Sequence, residues 1–306
     1  MERQESVDLD EAAIQDGVQK AADALRYATA VLFTSGAGLG VDSGLPDFRG
    51  PQGFWRAYPP MKEMGLEFSS ISNPAWFTQD PKFAWGFWGH RYDLYTKAAP
   101  HAGYQFMRQL GERMRDGYFS FTSNVDGHFA RVFPDDRILE CHGCIHYLQC
   151  FDDCSPDLWE TQRTVDVEKL RIDMTTFKAM GPLPACPKCH GLARPNVLMF
   201  GDYGWNEDRF EVQLEHYEAW MASLKEKKDT RLVVVEIGAG TGVPTVRKQS
   251  ERRVMSFEER FGKGSAVLMR INPRDHHCPA TVPCIPIPLG GLDALARIQD
   301  ALHQQQ

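Results

Sequence analysis

The chain has 306 residues, 42% of them hydrophobic and 25% charged, with a formal net charge of −7. These proportions suit a globular protein with a buried core and exclude a disordered chain, and the acidic balance supplies no general positive field for nucleic acid or an anionic membrane. No apolar run approaches the ~18 residues of a membrane span, and the polar, acidic Met1–Asp10 reads as neither a secretory signal nor a transit peptide, so a cytoplasmic location is expected, the nucleus included as an alternative intracellular one.

Residues Glu11 to Tyr27 place Ile14, Val18, Ala21, Ala22 and Leu25 at helical spacing, and Ala30 to Thr34 then reads as a buried strand. The strand runs into Ser35-Gly-Ala-Gly-Leu-Gly-Val41. Its first glycines resemble a phosphate cradle at a strand end, but a dinucleotide fingerprint would need a third glycine where Val41 stands. Residues 51–100 are rich in aromatics and broken by prolines, which predicts short helices, either as a satellite core or lining a substrate channel. Tyr118 to Thr122 is a further strand, delivering Ser123, Asn124, Val125 and Asp126 beyond its end. Ile138-Leu139 likewise leads into Glu140-Cys-His142-Gly143. Asn and Asp at strand ends offer amide and carboxylate contacts, and His exchanges a proton near neutral pH.

The eight cysteines of such a chain are expected to be reduced, with some on metal. Cys150 and Cys154 form one close pair and Cys186 and Cys189 a second, the two separated by thirty-one residues. Two such turns can complete a closed tetrathiolate zinc site, structural because no position is left for water. Cys141 and Cys144 read as local packing. Cys278 and Cys284, with His276 and His277 nearby, offer a second donor set but read better as small buried apolar residues. The rest of 144–195 carries few strand signals. Beyond it, helices over Glu207–Lys225 and Thr245–Phe261 alternate with strands Leu232–Ile237, Ala266–Ile271 and Val282–Ile287.

This alternation predicts an α/β fold: a Rossmann-like, mostly parallel sheet with helices on both faces. The sheet domain is discontinuous, drawn from 11–50, 101–143 and 196–303, with a helical module at 51–100 and a zinc-binding module at 144–195.

Taken in order, Gly36-Ala-Gly38 through Ser43-Gly-Leu-Pro-Asp-Phe-Arg49, Thr122-Ser-Asn-Val-Asp126, His142-Gly143, the two cysteine pairs, Arg194-Pro-Asn-Val-Leu-Met-Phe-Gly201 and Ile271-Asn272 resemble the sirtuin family over nearly the whole chain. The resemblance implies an NAD-dependent protein lysine deacylase, of deacetylase type, with a Rossmann-like domain, a smaller zinc domain with structural Zn2+, and a helical module over the cleft. Its partner would be an acylated lysine protein or peptide. It further implies that His142 is the general base, that Asn124 orders the ribose and a water, and that Val125 and Asp126 hold the carboxamide of nicotinamide. Gly36, Ala37, Gly38, Asp47, Phe48, Arg49 and Ser123 would line the cofactor, as would Gly238, Gly240, Thr241 and Asn272. Phe200 and Gly201 would belong to a strand that pairs with the substrate peptide. Trp88 stands where sirtuins acting on acidic acyl groups have tyrosine, and Arg91 where they have arginine, so the resemblance implies that the pair meets the acyl chain; the alternative reading of Arg91 is a solvated or salt-bridged surface group on a helix.

Gly40, Ser123, the run Gly238–Pro244 and Asp202-Tyr-Gly-Trp205 depart from the family pattern, which bears on affinity and substrate more than on reaction class. An NAD glycohydrolase, an ADP-ribosyltransferase and a non-catalytic NAD-sensing module remain alternatives on the same scaffold.

Overall fold

The computed structural model describes residues 11–46, 50–164 and 169–304. The chain runs α1 (Glu11–Tyr27), β1 (Ala30–Ser35), α2 (Gly38–Val41), α3 (Gly50–Ala57), α4 (Pro59–Glu63), α5 (Phe68–Ile71), α6 (Trp76–Gln79), α7 (Pro81–Lys97), α8 (Ala102–Glu112) and β2 (Tyr118–Thr122). It continues through β3 (Ile138–Glu140), β4 (Gly143–Cys150), β5 (Trp159–Glu160), β6 (Arg171–Asp173), β7 (Lys178–Met180), β8 (Ala193–Val197) and α9 (Asp208–Glu226). The last elements are β9 (Leu232–Ile237), α10 (Thr245–Phe261), β10 (Ala266–Ile271), β11 (Cys284–Ile287) and α11 (Gly291–His303).

Six strands form one sheet in the order β11-β10-β9-β1-β2-β3, with β1, β10 and β11 parallel to their neighbours in the β9 half. Every residue of β1 and of β9 is buried, which is why both read as continuous apolar runs rather than alternating ones. The strand expected over Val282–Ile287 starts two residues later, at Cys284. It is the edge strand, the position that tolerates the missing N–H of Pro286. The chain divides into two compact units, Met1–Asp42 with His101–Ser120 and Met221–Gln306, and Ser43–Pro100 with Phe121–Trp220.

In the first unit α1 packs its predicted apolar stripe, Ile14, Val18, Ala21, Ala22 and Leu25, against α11 and β11, while α10 lies over β9, β10 and β1. Arg270 on β10, fully buried, bonds Glu236 on β9 (Nε–Oε1 2.6 Å) and Glu251 on α10 (2.7 Å). The side chains Arg270 and Glu236 are register partners, so this buried charge is paired where it emerges from the sheet.

In the second unit the aromatics of 51–100 form a core with residues from the cysteine-bearing segment, including Phe54, Tyr58, Phe87 and Trp88 with Ile145 and Phe177. Most of them are packing, as the first of the two sequence readings holds. The cysteine-bearing segment is richer in strands than expected: an antiparallel sheet β5-β4-β8 and a hairpin β6-β7. Its strand signal is masked because β4 spends inward positions on polar groups. Gln149 is buried, donates to the Gly204 carbonyl (2.7 Å) and accepts from Asn196 (3.0 Å) and from the Asn206 N–H (3.1 Å). The hairpin leans on α7. A Cβ at Gly86 would lie 2.0 Å from the Phe177 carbonyl oxygen, so only glycine lets the two backbones approach.

Candidate active site

Within the second unit, the Cys141 N–H donates to the Thr122 carbonyl (2.9 Å), setting the ends of β2 and β3 side by side. That brings together Ser123, Asn124, Val125, Asp126 and His142, which the sequence expected to act jointly. The His142 imidazole donates to the Ser123 carbonyl, and burial pulls its pKa below the usual 6.5. It is therefore neutral, and able to accept a proton, at physiological pH. Asn124 is 7% exposed, and its backbone N–H is held by the Thr122 hydroxyl (3.1 Å). Its buried Nδ2 meets no hydrogen-bond acceptor among the described residues. A buried amide donor without an acceptor is costly and points to a ligand.

Asp126, 5% exposed, accepts the His128 N–H at Oδ1 (2.9 Å), and its own carbonyl meets His146 Nε2 (3.0 Å). Desolvation pushes its pKa up to about 6. The His128 N–H, His146 and Arg91 pull against that shift, and the Glu140 charge adds to it. Glu140 is itself buried and held by Arg209 (2.5 Å), while its N–H donates to Gln213 Oε1 (2.9 Å). This latch to α9 fixes the β3 end two residues before His142. The sequence reading missed it, since Arg209 and Gln213 look like ordinary residues of an amphipathic helix.

Trp88 and Arg91 lie on α7, 1% and 4% exposed, so Arg91 is no solvated surface group. Its guanidinium bonds the Tyr95 hydroxyl (Nε 3.0 Å) and sits 4.8 to 5.3 Å from the ring centres of Trp88, Tyr95, Phe68 and Phe87. The Trp88 Nε1 is buried with no acceptor among the described residues. Phe200 and Gly201 fall in a turn, because β8 stops at Val197. Phe200, 39% exposed, donates its N–H to Ser72 (2.8 Å). The turn is pinned from below by the buried Arg194–Asp202 pair (Nη1–Oδ1 3.0 Å), with Asp202 also accepting the N–H groups of Met199 (3.2 Å) and Gly204 (3.1 Å).

The sulfurs of Cys150, Cys154, Cys186 and Cys189 all lie within 4.8 Å of one another, with Cys150–Cys189 at 3.6 Å and Cys154–Cys186 at 3.5 Å. A tetrahedron with Zn–S bonds of 2.3 Å has edges of about 3.8 Å, so the set fits a tetrathiolate zinc ion. The Lys188 N–H approaches the Cys186 sulfur and the Gly191 N–H the Cys189 sulfur, each at 3.4 Å, as expected of thiolates. Cys141 and Cys144 stay outside the cluster, and burial raises both thiols, Cys141 to about 12.

In the first unit the glycine turn after β1 interlocks with the one after β9. The Gly38 N–H donates to the Gly238 carbonyl (3.0 Å), and Gly238, at φ +64°, would drive a Cβ to 2.4 Å from the Leu39 nitrogen. A Cβ at Gly36 would lie 2.9 Å from the Ala239 Cα, whereas one at Gly240 or Gly242 would meet nothing within 4 Å. The backbone around the exposed Thr241 is thus open to a ligand. Ala37 precedes α2, a single turn steadied by His101 Nε2 on the Leu39 carbonyl (3.1 Å). His101 Nδ1 also caps α8 at the Gly103 N–H (3.0 Å), a double role that sequence reasoning did not find. Asn272 is buried and spans its loop, donating to the Ala239 carbonyl (3.0 Å) and accepting from the N–H groups of Arg274 (3.0 Å) and Asp275 (2.9 Å). Cys278 and Cys284 are half-buried and joined in a disulfide, which corrects the expectations of wholly reduced cysteines and of this pair as small buried apolar residues. Asp47, Phe48 and Arg49 lie outside the described residues.

A profile of the Sir2 family matches residues 36–224. The chain belongs to the Sir2 family. Among Sir2 relatives, a protein of Aquifex aeolicus named NAD-dependent protein deacylase is 30% identical over 56% of this chain. That match spans 62% of the relative, less than two thirds of its length. A Thermococcus kodakarensis protein of the same name is 32% identical over 76% of this chain and 81% of its own. A solved Sir2 homologue–NAD complex shares the fold, with TM-score 0.61 and 21% identity over 94% of this chain and 95% of that one.

Proposed function

We propose that this Sir2-family chain is an NAD-dependent protein lysine deacylase, which moves the acyl group of a modified lysine to ADP-ribose and releases nicotinamide. The observation that carries the reading is the juxtaposition at the β2 and β3 ends. There a half-buried histidine kept neutral by desolvation shares a strand-end corner with the unsatisfied amide donor of Asn124. The names borne by the relatives point the same way.

NAD fits the residues present: the open glycines at 240 and 242 leave room for a diphosphate, and Asn124 has a donor to give. Gly36, Ala37, Gly38, Gly238, Gly240, Thr241 and Asn272 would hold its ADP-ribose portion. Ser123, Asn124, Val125 and Asp126 would hold its nicotinamide ribose portion. Bound there, NAD supplies an electrophilic ribose carbon whose nicotinamide departs as a neutral ring.

His142 accepts a proton from a ribose hydroxyl, and its bond to Ser123 keeps the other ring nitrogen protonated and the ring aimed. Asn124 orients the sugar. Asp126, with its pKa near 6, is chiefly a carboxylate at neutral pH and accepts from an amide N–H. Phe200 and Gly201, on their pinned turn, meet the peptide, and Arg91 with Trp88 Nε1 gives the acyl chain two donors in an apolar setting. That arrangement favours acyl groups ending in a carboxylate. A cytoplasmic location accompanies the reading through the four reduced cysteines of the zinc site, with the Cys278–Cys284 disulfide as the exception.

The test is nicotinamide release from NAD with lysine peptides carrying acetyl, succinyl or long-chain acyl groups. Release that requires the acyl peptide and disappears in His142→Ala supports a deacylase. Release indifferent to the peptide would reassign the chain as a glycohydrolase, and NAD binding without release as a sensing module.

A further inference from the structure

We propose that the Cys278–Cys284 disulfide is a reversible thiol–disulfide site that sets how tightly the first unit holds the ADP-ribose end of the cofactor. The inference rests on the NAD reading above for its ligand, and on the loop after β10 for its mechanism.

That loop begins at Asn272 and is stitched to the glycine turn of β9 by side chains. Asn272 Nδ2 and Arg247 Nη1 both donate to the Ala239 carbonyl, at 3.0 and 3.3 Å. Arg247 also donates to the carbonyls of Asp275 (2.8 Å) and His277 (3.3 Å), and Arg270 Nη1 reaches the same His277 carbonyl (2.9 Å). Arg270 cannot shift, since it is buried and bound to Glu236 and Glu251. The stitched stretch therefore ends at His277, and the next residue is Cys278.

The disulfide ties Cys278 to Cys284, the first residue of β11, whose register partner on β10 is Leu268. With the bond closed, the stretch from Asn272 to Cys278 is anchored to the sheet at both ends. With it open, Asn272 keeps its N–H on the Ile287 carbonyl (3.1 Å) and Pro283 keeps its carbonyl on the Leu268 N–H (2.9 Å), but Cys278 loses its covalent tie to β11, so the far end of the stretch is held by the hydrogen bonds of Arg247 and Arg270 to the Asp275 and His277 carbonyls. Both cysteines are part-exposed, so a reductant can reach the bond.

The step balances as ordinary exchange. A thiolate of a dithiol reductant attacks one sulfur to give a mixed disulfide. The reductant's second thiolate then displaces it, so the reductant leaves as a disulfide and two electrons and two protons end on Cys278 and Cys284 as thiols. Loops coupled to a ligand site in this way change affinity by about fivefold or more.

The experiment is titration calorimetry of ADP-ribose into the intact protein, oxidised and then reduced with a dithiol, with the redox state verified by intact mass. The Cys278→Ser/Cys284→Ser double variant is titrated under both conditions. The expected result is about fivefold or more weaker binding by reduced protein, with the variant matching it whether or not reductant is present. Equal affinity of the two wild-type states, or a variant that still responds to reductant, overturns the switch and leaves the NAD reading standing. No binding in any state overturns the NAD reading and the switch with it.

Discussion

Replacing Asp126 by asparagine should raise the stability of the protein at neutral pH while weakening the corner proposed to hold nicotinamide. Desolvation carries the Asp126 pKa from the usual 3.8 to about 6. The folded state thus holds a proton more tightly than the unfolded chain, and ionising the group opposes folding. The linkage has a definite sign: stability falls as pH rises from about 4 to about 6 and stays lowered above that. A shift of roughly two units corresponds to about 3 kcal/mol at neutral pH. Asparagine keeps an oxygen for the His128 N–H and removes the charge that Glu140 repels. For a chain of this length, about 3 kcal/mol is about 5 °C in Tm. Thermal unfolding of wild type and Asp126→Asn at pH 5 and pH 7 measures it. The variant should melt higher at pH 7, and the gap should narrow at pH 5, while nicotinamide release falls. A variant that melts lower than wild type at pH 7, or a gap independent of pH, would refute the account of a carboxylate held against its solvation.

Burial lowers the His142 pKa, so the acid limb of the kcat/KM profile with an acyl peptide should lie below pH 6.5, and a limb above that value contradicts the assignment of His142 as base. Arg91→Met should cut kcat/KM for succinyl-lysine peptide by about tenfold to a hundredfold relative to acetyl-lysine peptide, the worth of a charge-assisted hydrogen bond; an unchanged ratio removes Arg91 from acyl recognition. Cys186→Ser should drop metal content, measured by plasma mass spectrometry, from about one zinc per chain to near none, and lower Tm by several degrees. Zinc retained at wild-type level would disprove the four-sulfur site.

The parts of the fold that could be read in the sequence are those where one physical demand dominates. β1 and β9 are buried along their whole length, so Ala30–Phe33 and Leu232–Val235 run apolar without alternation, and α1 buries one stripe at helical spacing. The cysteine pairs were legible because metal geometry limits their spacing. Where side chains serve two demands, the pattern blurs. β4 looks weakly strand-like because Gln149 is buried for its hydrogen bonds, and the Phe200 segment reads as strand although Asp202 folds it into a turn. The pairing of Cys278 with Cys284 had no signature in spacing. The candidate site was legible at Asn124, Asp126 and His142, where chain order and chemistry agree, but not at Arg209, Arg247 or His101, whose roles depend on neighbours distant in sequence.

Phe177, between β6 and β7, presses its carbonyl against the bare backbone of Gly86, and its ring lies in the same core as Tyr58 and Phe87. The hairpin enters the chain between the two cysteine pairs, so the segment that spaces the metal ligands is also a wall of the helix bearing Trp88 and Arg91. Lengthening or trimming that spacer, harmless in a free surface loop, would here disturb the packing of that helix, and on the proposed reading of Trp88 and Arg91 it would alter acyl preference from a distance.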